Sequence, residues 1–173
     1  MEYAQRKMNK VIFSTKWFDL FEIKNKFNDE KYYGLKPPDY VTAVAYDNEG
    51  KINLIYQNRP VIGKIKSLET PGGQVDQGDN PLNAIKKELL EETGFLYKNI
   101  KNVAVLEPDV GRLMNKLYIF KADNPKVINQ PEDGITLLKV FPEDIISLIK
   151  EKKLTNAYSI AALSIVLNIF KNE

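Results

Sequence analysis

GGQVDQGDNPLNAIKKELLEETGF, residues 72–95, decides how this chain is read. Asn80 is a good N-cap, and Pro81 then falls at the first helical position, where a missing N–H costs nothing. Gly94 suits the residue that ends the helix. Between them Leu82, Ile85 and Leu89 recur at helical spacing and predict the buried stripe. Glu88, Glu91 and Glu92 stand at i, i+3 and i+4, so all three project from one face, with Glu88 and Glu92 flanking the stripe. Carboxylates stacked in this way repel one another.

A solvated acidic face with lysine partners is the plain alternative. It fits poorly. Lys86 and Lys87 precede the glutamates, the weaker orientation for a helical ion pair, and Glu91 and Glu92 sit at the negative end of the helix dipole. A divalent cation removes the repulsion, because hard cations draw several carboxylate oxygens to one point. Gly72 and Gly73 allow the backbone to approach such a point, and a carbonyl there completes a metal site; an ordinary turn is the competing reading.

Composition narrows the chemistry. The 173 residues suit one domain with a small extension, and 43% hydrophobic with 28% charged residues is ordinary for a soluble globular chain. A formal net charge of +2, from 25 basic and 23 acidic residues, gives no general pull toward nucleic acid or membrane. With no cysteine and no histidine, thiolate sites, cysteine nucleophiles and Ser-His-Asp triads are excluded. A metal must take oxygen ligands, which favours Mg²⁺, Mn²⁺ or Ca²⁺ over zinc. No run approaches the roughly 20 apolar residues of a membrane span, and the N-terminus lacks the apolar core of a secretory signal, so a cytoplasmic location is expected.

Outward from the helix, residues 11–23 predict one bent strand or two short ones, 25–39 carry turn signals around Tyr32 and Tyr33, and 39–60 predict a hairpin about the turn DNEG. Strands are also expected at 67–70, 102–108, 115–122 and 135–141, and helices at 142–153 and 155–172. The last helix is apolar over most of its surface and should be buried against the sheet or a second subunit. Strands mixed with three helices imply an α/β fold, helices packed around a mixed sheet.

Gly73, Asp79 and the run Lys87-Glu88-Leu89-Leu90-Glu91-Glu92-Thr93-Gly94-Phe95 together resemble the Nudix box, G-x5-E-x7-R-E-U-x-E-E-x-G-U with U apolar. Spacing matches throughout. Asp79 replaces a glutamate and Lys87 an arginine; an ammonium lacks the fork with which a guanidinium holds two carboxylates. The flanks are similar to ADP-ribose pyrophosphatases: Gln57 and Arg59, then Leu68, Glu69, Pro71 and Gly73, with Trp17, residues 32–46 and residues 108–120 also alike.

The resemblance implies an α/β/α sandwich around a mixed sheet, with residues 1–38 a small antiparallel β extension that joins two subunits and 39–173 the hydrolase domain. It implies Mg²⁺, with Mn²⁺ as substitute, held by Glu88, Glu91, Glu92 and the Gly73 carbonyl. The implied reaction is hydrolysis of an ADP-sugar, ADP-ribose first, to AMP and a sugar phosphate. Arg59 either clamps a phosphate or stays paired with Glu69; Arg59, Glu69 and Arg112 are candidates for the substrate site, with Arg112 approaching the phosphates. Trp17, Phe18, Tyr32 and Tyr33 are candidates for stacking on adenine, Trp17 foremost. The base is expected on a mobile loop within 124–135, at Glu132, with Asp133 its competitor. Hydrolysis of oxidised dNTPs, or nucleotide-sugar binding without catalysis, are the alternatives. An isomerase of this fold is excluded by the missing cysteine, and a decapping enzyme by the missing basic surface.

Overall fold

The computed structural model describes residues 10–24, 28 and 30–169. Parts of the expected turn segment (25–27 and 29) and the end of the last expected helix (170–172) lie outside the described residues.

The N-terminal segment forms β1 (Lys10–Ser14), β2 (Asp19–Lys24) and β3 (Lys31–Lys36), an antiparallel sheet in the order β1-β2-β3. The bend read at 11–23 is a tight turn in which the Thr15 hydroxyl accepts the Trp17 and Phe18 backbone N–H groups. Tyr32 and Tyr33 are not in a turn. They lie within β3, paired with Ile23 and Glu22. The β propensity of two tyrosines outweighs the punctuation of Gly34 and the following prolines.

The remaining strands form a mixed sheet. Its path is β10 (Thr136–Val140), β5 (Ile52–Arg59), β4 (Tyr40–Tyr46), β9 (Leu117–Val127) and β8 (Phe95–Leu106). Off that path β6 (Lys64–Glu69) pairs with β5, and β7 (Gly72–Gln74) with β4. The β4–β9 pair is parallel and the other pairs are antiparallel. β8 begins seven residues earlier than its apolar composition suggests, since Phe95 follows the helix-ending Gly94 directly and buried Phe95 and Tyr97 alternate with exposed Leu96.

Helices cover both faces. α1 (Pro81–Thr93) packs on one, α2 (Ile145–Lys150) and α3 (Ala157–Val166) on the other. β4 shows the division in its alternation. Val41, Ala43 and Ala45 share a core with Ile85 and Leu89 of α1, whereas Val44 joins Ile145 and Leu163 of α2 and α3. The α/β fold with helices on both faces of a mixed sheet and an antiparallel N-terminal sheet is as expected. Two details differ. Leu82 is 40% exposed, and the stripe runs instead through Ala84, Ile85, Leu89, Glu92 and Thr93; at the helix start Leu82 lines an open groove with Ile100 of β8 and Tyr118 and Phe120 of β9. α3 buries one side, with Ser159, Ala162, Leu163 and Ser164, and leaves Ile165 exposed.

The small sheet is joined to the large one through a loop. Leu35 N–H donates to the Arg112 carbonyl (2.8 Å) and Met114 N–H to the Leu35 carbonyl (2.9 Å). Among the described residues no helix is long and apolar enough to cross a membrane.

Candidate active site

α1 is built as its ends dictate. The Asn80 side chain accepts the Asn83 N–H at 3.0 Å, and Pro81 opens the helix. Gly94 closes it at φ 74°, donating to the Leu90 carbonyl. A side chain at Gly94 would collide with the Asn129 carbonyl. That closeness matters, because Ile128 and Asn129 both donate their N–H groups to the Gly94 carbonyl, docking the loop after β9 onto the end of α1.

The three glutamates occupy graded environments. Glu92 is 7% exposed, and its Oε2 accepts the Gly72 N–H at 2.7 Å. Burial pushes its carboxyl up to about 8, against that hydrogen bond, and neighbouring Glu88 pushes the same way. Half-buried Glu88 is pushed up to about 7, first by burial and then by Glu91, with Asp76 and Glu132 adding smaller repulsions. Glu91 is half-buried beside them. Gly73 lies so close that a Cβ there would overlap the Glu88 carboxylate. Glycine here lets the Glu88 carboxylate lie directly against the loop backbone.

Two further segments converge on the cluster. Arg59 grips Glu69 with two parallel hydrogen bonds, Nε to Oε1 at 2.9 Å and Nη2 to Oε2 at 2.8 Å. Glu69 is buried and Arg59 half-buried. Arg59 Nη2 also reaches the Tyr40 hydroxyl at 3.5 Å, and that hydroxyl donates to the Gly72 carbonyl at 3.1 Å. The arginine is thus held over the glycine loop, close enough to Glu92 to favour its ionised form. On the other side, the Glu132 N–H donates to the Glu91 carbonyl at 2.9 Å, with its carboxylate exposed near Glu88. The loop anticipated as mobile is pinned here by three backbone hydrogen bonds to residues 91 and 94.

Other expected residues lie apart. Lys87, in the place of the family arginine, pairs with exposed Asp76 at 3.3 Å. Asp79 accepts the Asn80 N–H at 2.8 Å just before the helix. Arg112 is exposed, bonds its own loop at the Gly111 carbonyl and lies over the Tyr32 ring, 4.6 Å from its centroid. Trp17 is 56% exposed in the β1–β2 turn beneath Lys16, on the small sheet and not on the sheet that carries the glutamates. Tyr40 and the Gly72 amide were missed by the sequence reading. Tyr40 is 32 residues from Gly72, and only the β4–β7 pairing brings them together.

Whether these residues fit a metal ion can be tested on the donor set. Among the described residues no three carboxylates already converge on one point closely enough to hold an ion. The set nevertheless suits a hard cation: three glutamates on one helical face, two of them driven toward protonation by burial, and a backbone loop wedged against one of them. Glu88 and Glu91 are only half-buried, which leaves their carboxylates room to reorient.

Comparison with known proteins agrees with this geometry. The NUDIX domain family model matches residues 36–163. An ADP-ribose pyrophosphatase of Bacillus subtilis (strain 168) is 25% identical over 161 residues, spanning 88% of this chain and 86% of the relative. A CMP-5'-(N-acetyl-N-hydroxy-3-aminopropyl)phosphonate hydrolase of Streptomyces rubellomurinus (strain ATCC 31215) is 24% identical over 103 residues, 60% of this chain and 50% of the relative. A solved structure of an ADP compounds hydrolase superposes with TM-score 0.76 at 17% identity, covering 94% of this chain and 91% of its own, a likeness of fold. With the family model spanning more than two thirds of the sequence and its helix, glycine loop and glutamates in place, the chain belongs to the NUDIX domain family and is a Nudix hydrolase.

Proposed function

We propose that this chain hydrolyses the pyrophosphate bond of an ADP-sugar, ADP-ribose first, to AMP and a sugar phosphate, with Mg²⁺ or Mn²⁺ as cofactor. The observation that carries the reading is the carboxylate face of α1 closed by the glycine loop, where Gly72 N–H meets Glu92 and Gly73 abuts Glu88. Similarity to an ADP-ribose pyrophosphatase along 88% of the chain supports the substrate class.

In this reading Glu88, Glu91, Glu92 and the Gly73 carbonyl hold the metal. Once bound, Mg²⁺ supplies charge neutralisation at the pyrophosphate and acidifies water. Glu92 is kept in place by the Gly72 amide, so its rotamer is set before substrate arrives. Arg59, oriented by its fork on Glu69, presents its remaining N–H groups to a phosphate oxygen. Glu132 takes the proton of the attacking water at its carboxylate. As the new P–O bond forms, the bond from phosphorus to the bridging oxygen breaks. Arg112 neutralises the phosphates from the other loop. Trp17 stacks on adenine from the partner subunit of a homodimer joined by residues 1–38. Neither nucleic acid nor a membrane is a partner in this scheme, and the location is cytoplasmic.

The test is a substrate panel of ADP-ribose, other nucleotide sugars and dNTPs with Mg²⁺, the products separated by chromatography. AMP and ribose 5-phosphate from ADP-ribose are expected, and EDTA is expected to stop their formation. Brisk turnover of dNTPs with ADP-ribose left intact would overturn the assignment.

A further inference from the structure

The glycine loop is supported from the face of the sheet opposite α1. Its residues Thr70 and Pro71 stand on a buried chain of hydroxyls. Thr42 of β4, Thr70 and Ser159 of α3 are each nearly inaccessible to water. Thr42 Oγ1 lies 2.7 Å from Thr70 Oγ1 and donates to the Pro71 carbonyl at 3.1 Å. Thr70 Oγ1 donates to Ser159 Oγ at 3.0 Å, and the Thr70 N–H donates to the same oxygen at 2.9 Å. Ser159 Oγ in turn donates to the Asn156 side chain at 3.1 Å, which also accepts the Ser159 N–H and so caps α3.

Proton accounting gives this chain a direction. Three hydroxyls have three protons for four oxygen contacts. Asn156 Oδ1 can only accept, so Ser159 must donate to it. Thr70 is then left to donate to Ser159, and Thr42 shares its proton between Thr70 and Pro71. The Thr70 and Ser159 backbone N–H groups add two donors to the chain, so each buried hydroxyl oxygen and the Asn156 oxygen is paired, and losing one hydroxyl removes a partner from a site without water. The neighbouring residue of α3 acts on the same loop. The Tyr158 ring packs edge-on against Tyr40, 5.3 Å between centroids, and the Tyr40 hydroxyl donates to the Gly72 carbonyl.

The geometry points to the first turn of α3 as a positioning element for the catalytic loop: Ser159 with Thr70 and Thr42, and Tyr158 through Tyr40, fix the backbone of residues 70–73. That backbone sets the Gly72 amide on Glu92 and Gly73 against Glu88. A helix more than 60 residues beyond the box therefore determines where two of its carboxylates stand. None of these residues touches substrate; they act through the loop. The inference rests on the proposed metal-dependent reading of the glutamates.

The variant that tests it is Thr70→Val, which keeps the shape and removes the hydroxyl, compared with Thr70→Ser, which keeps the hydroxyl. Ser159→Ala removes the partner instead. Three quantities are measured well below the melting temperature: the Gly72 amide resonance of the full chain, Mn²⁺ affinity by calorimetry, and ADP-ribose kinetics. In Thr70→Val and Ser159→Ala the Gly72 resonance is expected to shift, Mn²⁺ affinity to fall roughly tenfold, as for residues that orient metal ligands, and kcat to fall roughly 10–100-fold with KM nearly unchanged. Thr70→Ser is expected to stay near the unaltered chain. Ile145→Val, a core change in the same half of the molecule, controls for lost stability. An unshifted Gly72 resonance and unchanged Mn²⁺ affinity in Thr70→Val would overturn the proposal, as would equal losses in Thr70→Ser or Ile145→Val. If the unaltered chain binds Mn²⁺ but leaves ADP-ribose intact, the proposed substrate fails, while the resonance and the affinity still decide the role of α3.

Discussion

At the centre of the mixed sheet, apolar side chains are covered on both faces and even a carboxylate, Glu92, is shut away from water, while Leu96, Val105 and Val127 on β8 and β9 stay exposed. On the three-stranded sheet the balance is reversed. Every residue of β1 is exposed, Phe13 by 56%, and Trp17, Tyr32 and Tyr33 are open as well. Inverting the usual distribution in both places separates two tasks. A buried carboxyl group pushed toward protonation by its surroundings is poised for a cationic ligand. An apolar surface that the fold does not cover is poised for another surface. Under the proposed function the large sheet carries the chemistry, and the small sheet, anchored at Leu35 to the loop of Arg112, is the proposed contact with a second subunit.

The sharpest way to break this division is to neutralise the buried charge. Glu92→Gln keeps the shape and the Gly72 contact but removes a proposed metal ligand. Turnover is expected to fall by several powers of ten, and Mg²⁺ is expected no longer to raise the melting temperature. Near-normal activity would reduce α1 to a charged surface.

Next in size is Glu132. A general base on the docked loop is worth about 10²–10⁴-fold in kcat. Glu132→Gln is expected to cost that much with Mg²⁺ affinity little changed, because the backbone bond to Glu91 remains. A silent Glu132→Gln beside an impaired Asp133→Asn would move the base one residue along.

The small sheet is tested by assembly. Light scattering is expected to give about twice the 19.8 kDa chain mass, and Phe13→Asp to bring it to one chain mass by placing a charge on the surface to be covered. A monomer in the unaltered chain at micromolar concentration would remove both the dimer and any site shared across it.

The smallest effect is on stability against pH without metal. Glu92 has a folded value near 8, above its ordinary value of 4.5. The folded state therefore binds the proton more tightly, so its contribution is intact below about 4.5 and is lost as pH rises toward 8. Melting temperature in EDTA is expected to fall by several degrees between pH 5 and pH 8, in line with a loss on the order of 2 kcal/mol. Mg²⁺ should flatten the slope. A flat profile in EDTA would show that the carboxylate is better solvated than its burial implies.

Much of the site was legible because it is local. Asn80, Pro81 and Gly94 mark the ends of one helix, and the i, i+3, i+4 rule then puts Glu88, Glu91 and Glu92 on one face without knowledge of any other element. A mixed sheet packed by helices followed from strands mixed with three helices, and the α/β/α layering from the resemblance to the Nudix box, although Tyr32 and Tyr33 misled as a turn and Leu82 as core. Those two errors share a cause. Local propensity says what a segment prefers, while pairing with β2 for the tyrosines and an open groove beside Leu82 decide what it gets.

The sequence by itself determined the helix, its caps, its three carboxylates and the glycines beside them, since each depends on contacts within about two dozen residues. Only the tertiary structure decided that Gly73 lies against the Glu88 carboxylate, that Arg59 is forked onto Glu69 within electrostatic reach of Glu92, and that the Glu132 loop hangs from the end of α1. It alone brought Ser159 under Thr70, 89 residues away. Hydrogen bonds and burial depend on distance in space, and no periodicity along the chain encodes a contact that two layers of packing create.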